Sequence, residues 1–320
     1  MVWKLMGMLI LILFCHPSLA EPNLKGKRVL YVNAYHQGYP WSDGISAAIQ
    51  RVLRDKGIDL KIAYMDTKRR TTDESKRVSA LRIKAQIDSF KPDVVITSDD
   101  DPAKYLIMPY FKDEELPFVF CGVNWDASAY SFPYQNVTGI LEVSHLDEAL
   151  RHIQPYAKGK RLGFISGDGF SERRLQQGYE KYLNLQFERV YLVHSLDEWK
   201  QRFLELQTQV DILVVDTATT ALAWNVKEAQ DFVEKNIRIP TVATHDWLAP
   251  LAVLGVMKSP KEQGEWAAHT ALKILAGENP KEIPITKNQH DWLYINQTLA
   301  KKLGINFPVE VLKSADQIIP

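Results

Sequence analysis

Cysteine is almost absent from this chain of 320 residues, and neither sign of charge is in excess. Only Cys15 and Cys121 occur, and Cys15 lies in an apolar N-terminal segment. If that segment is removed, Cys121 has no partner in the chain, which excludes a fold held together by disulfides. Lysine and arginine together number 39, as do aspartate and glutamate. The balance gives no basic footprint for nucleic acid, so we expect no nucleic-acid partner.

Motifs of the common enzyme classes are also missing. The chain has no GxSxG elbow, no HExxH, no P-loop and no GxGxxG after a strand. The "SDDD" cluster with Asp216 leaves a metal-dependent hydrolase open as an alternative, because hard cations favour carboxylate ligands. Such a site also needs a basic group to steady the phosphoryl charge, and Lys104 is the nearby candidate in sequence. We therefore predict that the protein is not an enzyme and uses no metal and no cofactor.

The first 20 residues, "MVWKLMGMLILILFCHPSLA", have the features of an export signal. They carry one lysine, an apolar run from Leu5 to Phe14, and small residues at Ser18 and Ala20. The run is too short to cross a bilayer, so the pattern predicts a signal peptide cleaved after Ala20 and a periplasmic location. An uncleaved anchor is the alternative.

From residue 27 onward, short apolar runs alternate with amphipathic stretches. Runs such as "KRVLYVNAY", "PDVVITSDD" and "LPFVFCGV" are apolar throughout, as is typical of strands buried on both faces of a parallel sheet. A second series of the same kind begins near residue 145. The joining segments "NVTGILEV" and "VLGVMKS" are themselves strand-like. The pattern predicts an α/β protein with two doubly wound parallel-sheet lobes joined by a multi-strand hinge.

In open parallel sheets, ligands bind beyond the carboxyl ends of the strands. Aromatic and carboxylate side chains recur at these ends in both series, together with a few small polar residues. The strand-end candidates are Tyr35, His36, Tyr39, Trp41, Ser98, Asp99, Asp100, Asp101, Gly122, Asn124, Trp125, Asp126, Asp168, Phe170, His194, Ser195, Asp216, Thr217, His245, Asp246 and Trp247. The plainer interpretation is that the carboxylates cap helices and the tryptophans fill the core. Aromatic faces beside carboxylates favour a polar or amine-bearing ligand.

Several segments resemble one family of binding proteins. "YVNAYHQGYPWSDGI", "VVITSDDDPAKYL", "PFVFCGVN", "NVTGI" and "GEWAAHTALKILAGENPKEIPI" are similar to ABC-transporter substrate-binding proteins with the type I periplasmic binding protein fold. The better-known members bind aromatic amino acids, and related modules serve as extracellular sensors. The resemblance covers roughly residues 27–305. It implies that the long helix at 260–276 returns to the first lobe. The implied division is 1–20 signal peptide, 21–140 plus 258–320 lobe 1, and 141–257 lobe 2.

The resemblance also implies ligand contacts from the loops of both lobes. Carried onto this chain, they are Tyr35, His36, Trp41, Ser42, Ser98, Asp99, Asn124, Trp125, Asp168, Phe170, Asp216 and Trp247. The first loop is richer in aromatic residues than in the amino-acid-binding members, and the triple aspartate is a further departure.

The resulting functional hypothesis is a periplasmic solute-binding protein. It would close its lobes on a small polar or amine-bearing ligand and deliver it to the membrane permease of an ABC transporter. The alternative is an extracytoplasmic sensing module that reports to a membrane signalling protein. We expect a monomer in either case.

Overall fold

The structure is a computed structural model that describes residues 24–217 and 224–320. The predicted signal peptide at 1–20 lies outside these residues. Among the residues described, no helix combines the length and the apolar character needed to cross a bilayer.

The strands follow the apolar runs of the sequence. They are β1 (Arg28–Asn33), β2 (Asp59–Tyr64), β3 (Val94–Ser98), β4 (Phe118–Asn124), β5 (Val137–Glu142), β6 (Leu162–Gly167), β7 (Phe187–Val193), β8 (Ile212–Val215), β9 (Thr241–Ala243), β10 (Leu254–Lys258), β11 (Thr286–Lys287), β12 (Asp291–Asn296) and β13 (Gln317–Ile319).

The helices follow the amphipathic stretches. They are α1 (Pro40–Leu53), α2 (Asp73–Phe90), α3 (Asp100–Pro102), α4 (Met108–Tyr110), α5 (Leu146–Ile153), α6 (Phe170–Tyr182), α7 (Leu196–Gln209), α8 (Val226–Asn236), α9 (Pro260–Leu275), α10 (Gln297–Lys302) and α11 (Val309–Ser314). A π-helical turn at Ala103–Ile107 joins α3 to α4.

Two sheets define two lobes, as the sequence predicts. The sheet of lobe 1 has the order β11-β5-β4-β3-β1-β2, and that of lobe 2 has the order β13-β12-β10-β9-β8-β6-β7. Pairing is parallel except between β10 and β12. Every residue of β3 and β4 is buried, which explains their unbroken apolar character. The predicted α/β fold class is confirmed.

Helix α9 returns from lobe 2 to pack on α1 of lobe 1. The close approach requires Gly264, since a Cβ atom there would lie 2.5 Å from the carbonyl oxygen of Ile45. On the same helix, Gln263 accepts a hydrogen bond from the Gly122 N–H at 2.8 Å and donates to the Leu141 carbonyl at 3.1 Å. These bonds tie α9 to the ends of β4 and β5, where the chain leaves lobe 1.

The C-terminal segment differs from the predicted division. Residues 258–320 were expected in lobe 1, but β12 pairs with β10 and β13 pairs with β12 in the sheet of lobe 2. Buried side chains of this segment, such as Ile295 and Leu299, belong to the core of lobe 2. The chain thus passes between the lobes a third time, between β11 and β12. The segment "WLYINQ" pairs with β10 in the sheet of lobe 2.

Candidate functional site

The carboxyl ends of the two sheets face each other across a narrow cleft. A cavity of about 30 Å³ lies there, lined by Tyr35, Tyr39, Trp41, Lys68, Asp99, Asn124, Glu142, Ser171, Glu172, Leu175, Asp216, Thr217, His245 and Trp247. That volume holds about two water molecules. The cavity is therefore too small for a ligand the size of an amino acid.

The lobe 1 wall comes from the loop between β1 and α1. Asn33 ends β1 and accepts a hydrogen bond from the Tyr35 N–H at 2.8 Å, which turns the chain sharply toward the cleft. The Tyr35 and Tyr39 rings then meet edge to face at 4.9 Å between centroids. Trp41, in the first turn of α1, donates from Nε1 to Asp99 Oδ1 at 3.0 Å. The aromatic side chains of "AYHQGYPWSDG" thus form the lobe 1 wall of the cleft.

Asp99 follows β3 and is held in an unusual state. Its backbone has a φ of +68°, a region that non-glycine residues rarely occupy, and its N–H donates to the Cys121 carbonyl. Burial raises the pKa of its carboxyl group well above the ordinary value, and the nearby Glu142 carboxylate raises it further. Backbone strain of this kind tends to cluster at functional sites.

The lobe 2 wall contributes an acid, an imidazole and an indole. The His245 Nδ1 lies 3.2 Å from Asp216 Oδ1. Burial alone would raise the pKa of Asp216, but the His245 ring and the more distant Lys258 reverse that effect and lower it. The His245 ring packs on Trp247 at 4.5 Å between centroids, and both rings contact Trp41 of the opposite lobe.

Two buried lysines are each held by a carboxylate and an aromatic face. Lys68 forms an ion pair with Glu172 across the lobes, and its Nζ lies 4.5 Å from the centroid of the Tyr35 ring. Burial alone would lower the pKa of Lys68, but the Glu172 carboxylate outweighs it and raises that pKa. Lys258 forms an ion pair with Glu142, and its Nζ lies 5.8 Å from the centroid of a Trp41 ring. The cleft thus stabilises ammonium groups in two places.

Three carboxylate oxygens of the cavity have no hydrogen-bond partner within the described residues. They are Asp99 Oδ2, Glu172 Oε2 and Asp216 Oδ2, on side chains that are all at most 3% exposed. A buried acceptor without a partner costs on the order of 1–3 kcal/mol, more if it is charged. The cavity therefore offers hydrogen-bond acceptors to a ligand that carries donors.

The structure brings together only part of the predicted contact set. Tyr35, Trp41, Asp99, Asn124, Asp216 and Trp247 line the cavity. Asp168 and Phe170 instead line a second cavity of about 280 Å³, which we call the entrance chamber and which shares Tyr35, Lys68, Ser171 and Glu172 with the first. The centroid of the Phe170 ring lies 5.3 Å from Lys76 Nζ and 4.5 Å from Lys104 Nζ.

The remaining predicted contacts lie outside both cavities. His36 is partly exposed, and its ring contacts Tyr39 and the Gln37 carbonyl. Ser42 is buried in α1, and Ser98 accepts a hydrogen bond from Tyr31 beneath the cleft. Trp125 stacks on Tyr182 of α6 and belongs to the core of lobe 2. For these positions the plainer interpretation, packing and local bonding, fits the structure better.

Sequence reasoning missed several cavity residues. Lys68 follows β2, and Glu142 ends β5, so the strand-end rule would have found both had it been applied to every strand. Tyr39, Thr217 and His245 were strand-end candidates that the resemblance did not carry over. Ser171, Glu172 and Leu175 lie inside α6, where no strand-end rule reaches.

Metal binding has no geometric support in the part of the chain that the structure describes. Residues 24–217 and 224–320 contain no group of three or more His, Cys, Asp or Glu side chains placed to hold a metal ion. Three acids of the cleft are instead paired with basic groups: Glu172 with Lys68, Glu142 with Lys258, and Asp216 with His245.

Comparison with protein families identifies the class. A profile described as "ABC transporter substrate binding protein" matches residues 39–319, most of the chain, so the protein belongs to this family. Membership implies a small-molecule ligand and an ABC permease as partner. The resemblance noted in the sequence is confirmed for family and fold. No sequence among the curated proteins matches the chain significantly.

Solved structures share the fold at low sequence identity. An ABC domain in complex with L-Trp from Streptococcus pneumonia is 18% identical, with a TM-score of 0.68 over 92% of this chain and 99% of that one. A conserved domain protein from Vibrio cholerae is 19% identical, with a TM-score of 0.68 over 92% and 100%. A ligand-free, open substrate binding protein with adhesive properties from Clostridium difficile is 17% identical, with a TM-score of 0.65 over 92% and 99%.

Proposed function

We propose that this protein captures a small, amine-bearing polar ligand in the cleft between its lobes and delivers it to an ABC permease. The observation that carries the proposal is the set of three unpartnered carboxylate oxygens, on Asp99, Glu172 and Asp216, beside aromatic rings from both lobes. Ammonium and amide groups of a ligand would donate hydrogen bonds to these oxygens, while its apolar part would displace water from the rings. No chemical step on the ligand is part of the proposal.

Capture requires the lobes to part and close. Contacts between the first turn of α6 and lobe 1 would form on closure: Tyr35 with Ser171 at 3.0 Å, and Lys68 with Glu172. The three chain crossings between the lobes form the hinge in this proposal. Each crossing is ordered, so bending would concentrate in a few residues at the strand ends.

The proposed location is the periplasm, with the signal peptide removed after Ala20. The proposed state is a monomer that meets its permease only at the membrane. A sensor partner would use the same cleft, but no feature of the described residues favours it over a permease.

Thermal unfolding of the protein from Glu21 onward, screened against amines, amino acids, sugars, nucleosides and short peptides, tests the proposal. A ligand at about 100 times its dissociation constant stabilises by about 2.7 kcal/mol, which shifts the midpoint visibly. The protein is first unfolded and refolded to remove any co-purified ligand. We expect a shift from one class of donor-rich ligand. If no class raises the midpoint, the capture role is wrong.

A further inference from the structure

The carboxyl groups around the cavity outnumber their basic partners. Four buried carboxyl groups line the cavity: those of Asp99, Glu142, Glu172 and Asp216. Lys68 is already paired with Glu172, and Lys258 with Glu142. His245 contacts Asp216 and, when protonated, offsets that charge. Within the described residues, Asp99 has no cation in direct contact, and its Oδ2 has no hydrogen-bond partner. Asp99 is therefore the carboxyl group that lacks a basic partner.

A ligand carboxylate would find no free cationic side chain in this cavity. Among the described residues that line it, the basic side chains are Lys68 and His245, and each already contacts an acid. The remaining candidate is the N-terminal end of α6, whose cap residue Gly169 supplies no side-chain bond. The Glu172 carboxylate lies in the first turn of this helix, where its charge offsets the positive end of the helix dipole. A ligand carboxylate at this end of α6 would therefore lie beside the Glu172 carboxylate, which repels it.

The aromatic surfaces suit a cation with an apolar body. Tyr35, Tyr39 and Trp41 come from lobe 1, and His245 and Trp247 from lobe 2, so closing the cleft covers a ligand with rings on both sides. Cations are attracted to ring faces within about 6 Å of the centroid. The protein's own Lys68 and Lys258 already use this arrangement of one carboxylate and one ring face.

We propose that the ligand is an organic cation, an amine or guanidine on an apolar or aromatic body, that carries no carboxylate of its own. Its charge lies among Asp99, Glu172 and Asp216, and its body lies between the rings of the two lobes. The inference deepens the proposed function and rests on it.

Binding of such a cation is linked to the proton of Asp99. The ionisable groups that face this carboxyl from the surrounding elements are Tyr31 of β1, Tyr35, Lys68, Asp100, Cys121 of β4 and Glu142 of β5. Their acids and the burial outweigh Lys68 and raise the pKa of Asp99 in the free protein. A ligand cation favours the ionised form, so binding releases a proton and the affinity rises with pH until Asp99 is ionised in the free protein.

Calorimetric titration with matched pairs of compounds tests the proposal. The pairs are tryptamine with tryptophan, tyramine with tyrosine, and agmatine with arginine, so that each pair differs only in the carboxylate. We expect at least one amine to bind at least about tenfold more tightly than its amino acid. Its affinity should rise as the pH rises above the ordinary range for carboxyl groups, with proton release measured in buffers of different ionisation enthalpy.

The outcomes separate this inference from the proposed function. An amino acid that binds as tightly as its amine, or an amine whose binding takes up protons or is insensitive to pH, overturns the inference and leaves the capture role standing. Failure of every amine while another class raises the thermal midpoint also overturns it. If nothing from either screen binds, the capture role itself fails and the inference fails with it.

Discussion

At the scale of single residues, Asp99 combines three features that each lower the stability of the folded protein. It is buried, its backbone has a positive φ, and one of its oxygens has no partner. Its folded-state pKa is raised, chiefly by burial and then by Glu142. The folded protein therefore holds this proton more tightly than the unfolded chain. The stabilisation from Asp99 is full below its unfolded pKa of about 3.9 and is lost as pH rises through the folded-state value.

Replacing Asp99 by asparagine should stabilise the protein at neutral pH. The amide cannot ionise and can still accept from Trp41. We expect Asp99→Asn to raise the free energy of unfolding by on the order of 1 kcal/mol, as measured by urea denaturation, with a larger gain at about pH 8 than at about pH 5. Asp88→Asn on the exposed face of α2 is the control and should give no such gain. A less stable Asp99→Asn protein would contradict the account.

Trp125 illustrates the opposite role for an aromatic residue near the cleft. Its ring stacks on Tyr182 at 5.4 Å between centroids, and a Cβ atom on Gly178 would overlap it. We expect Trp125→Ala to lower the free energy of unfolding by about 3–5 kcal/mol, because it leaves a cavity between α6 and lobe 1. Trp292→Ala is the matched control, since Trp292 is 45% exposed and should cost much less. Equal effects in urea denaturation would show that Trp125 is not a packing residue.

At the scale of elements, the first two turns of α6 hold the lobes together. Arg174 lies 3.1 Å from Asp100, and it also donates to the carbonyls of Asn124 and Asp126. Burial raises the pKa of Asp100, and Arg174 partly counters this. Removing the arginine leaves a buried acid without its cation, which is more costly than losing the pair as a whole.

Arg174→Leu should therefore destabilise the protein by about 3 kcal/mol in urea denaturation. Adding Asp100→Asn in the same chain should recover most of the loss, because the amide oxygen can still accept from Asn124 and the amide N–H group can donate to the Tyr130 hydroxyl. The neighbouring Arg173→Leu is the control: its partner Asp168 is near the surface, so the loss should stay below about 1 kcal/mol. No recovery in the double variant would show that Arg174 acts through something other than Asp100.

The same scale shows what the sequence could predict. Continuous apolar runs were enough to place strands such as β3 and β4, and the rule of ligand binding at strand ends then pointed to Trp41, Asp99, Asp216 and Trp247. The rule does not find residues whose place in the site depends on a partner that is far away in sequence. Lys68 and Glu172 are 104 residues apart, and neither has meaning as a buried ion pair until both lobes are folded.

At the scale of the whole molecule, the lobes and their crossings were predictable, but the path of the last 30 residues was not. A short strand such as β12 has no signal that chooses between the open edges of two similar sheets. The choice follows from side chains such as Ile295, which fill the core of lobe 2. The consequence is that the chain passes between the lobes three times.

The central claim is that both lobes hold one ligand between them, and calorimetric titration of variants from each lobe tests it most directly. With the ligand found by thermal screening, the account predicts one site per chain. Asp99→Asn in lobe 1 and Asp216→Asn in lobe 2 should each weaken binding at least about a hundredfold, as loss of a buried charged partner does. Circular dichroism should confirm that both variants are folded, and Asp88→Asn should bind as the parent does. Unchanged affinity in either folded cleft variant would place the ligand outside the cleft and contradict the account.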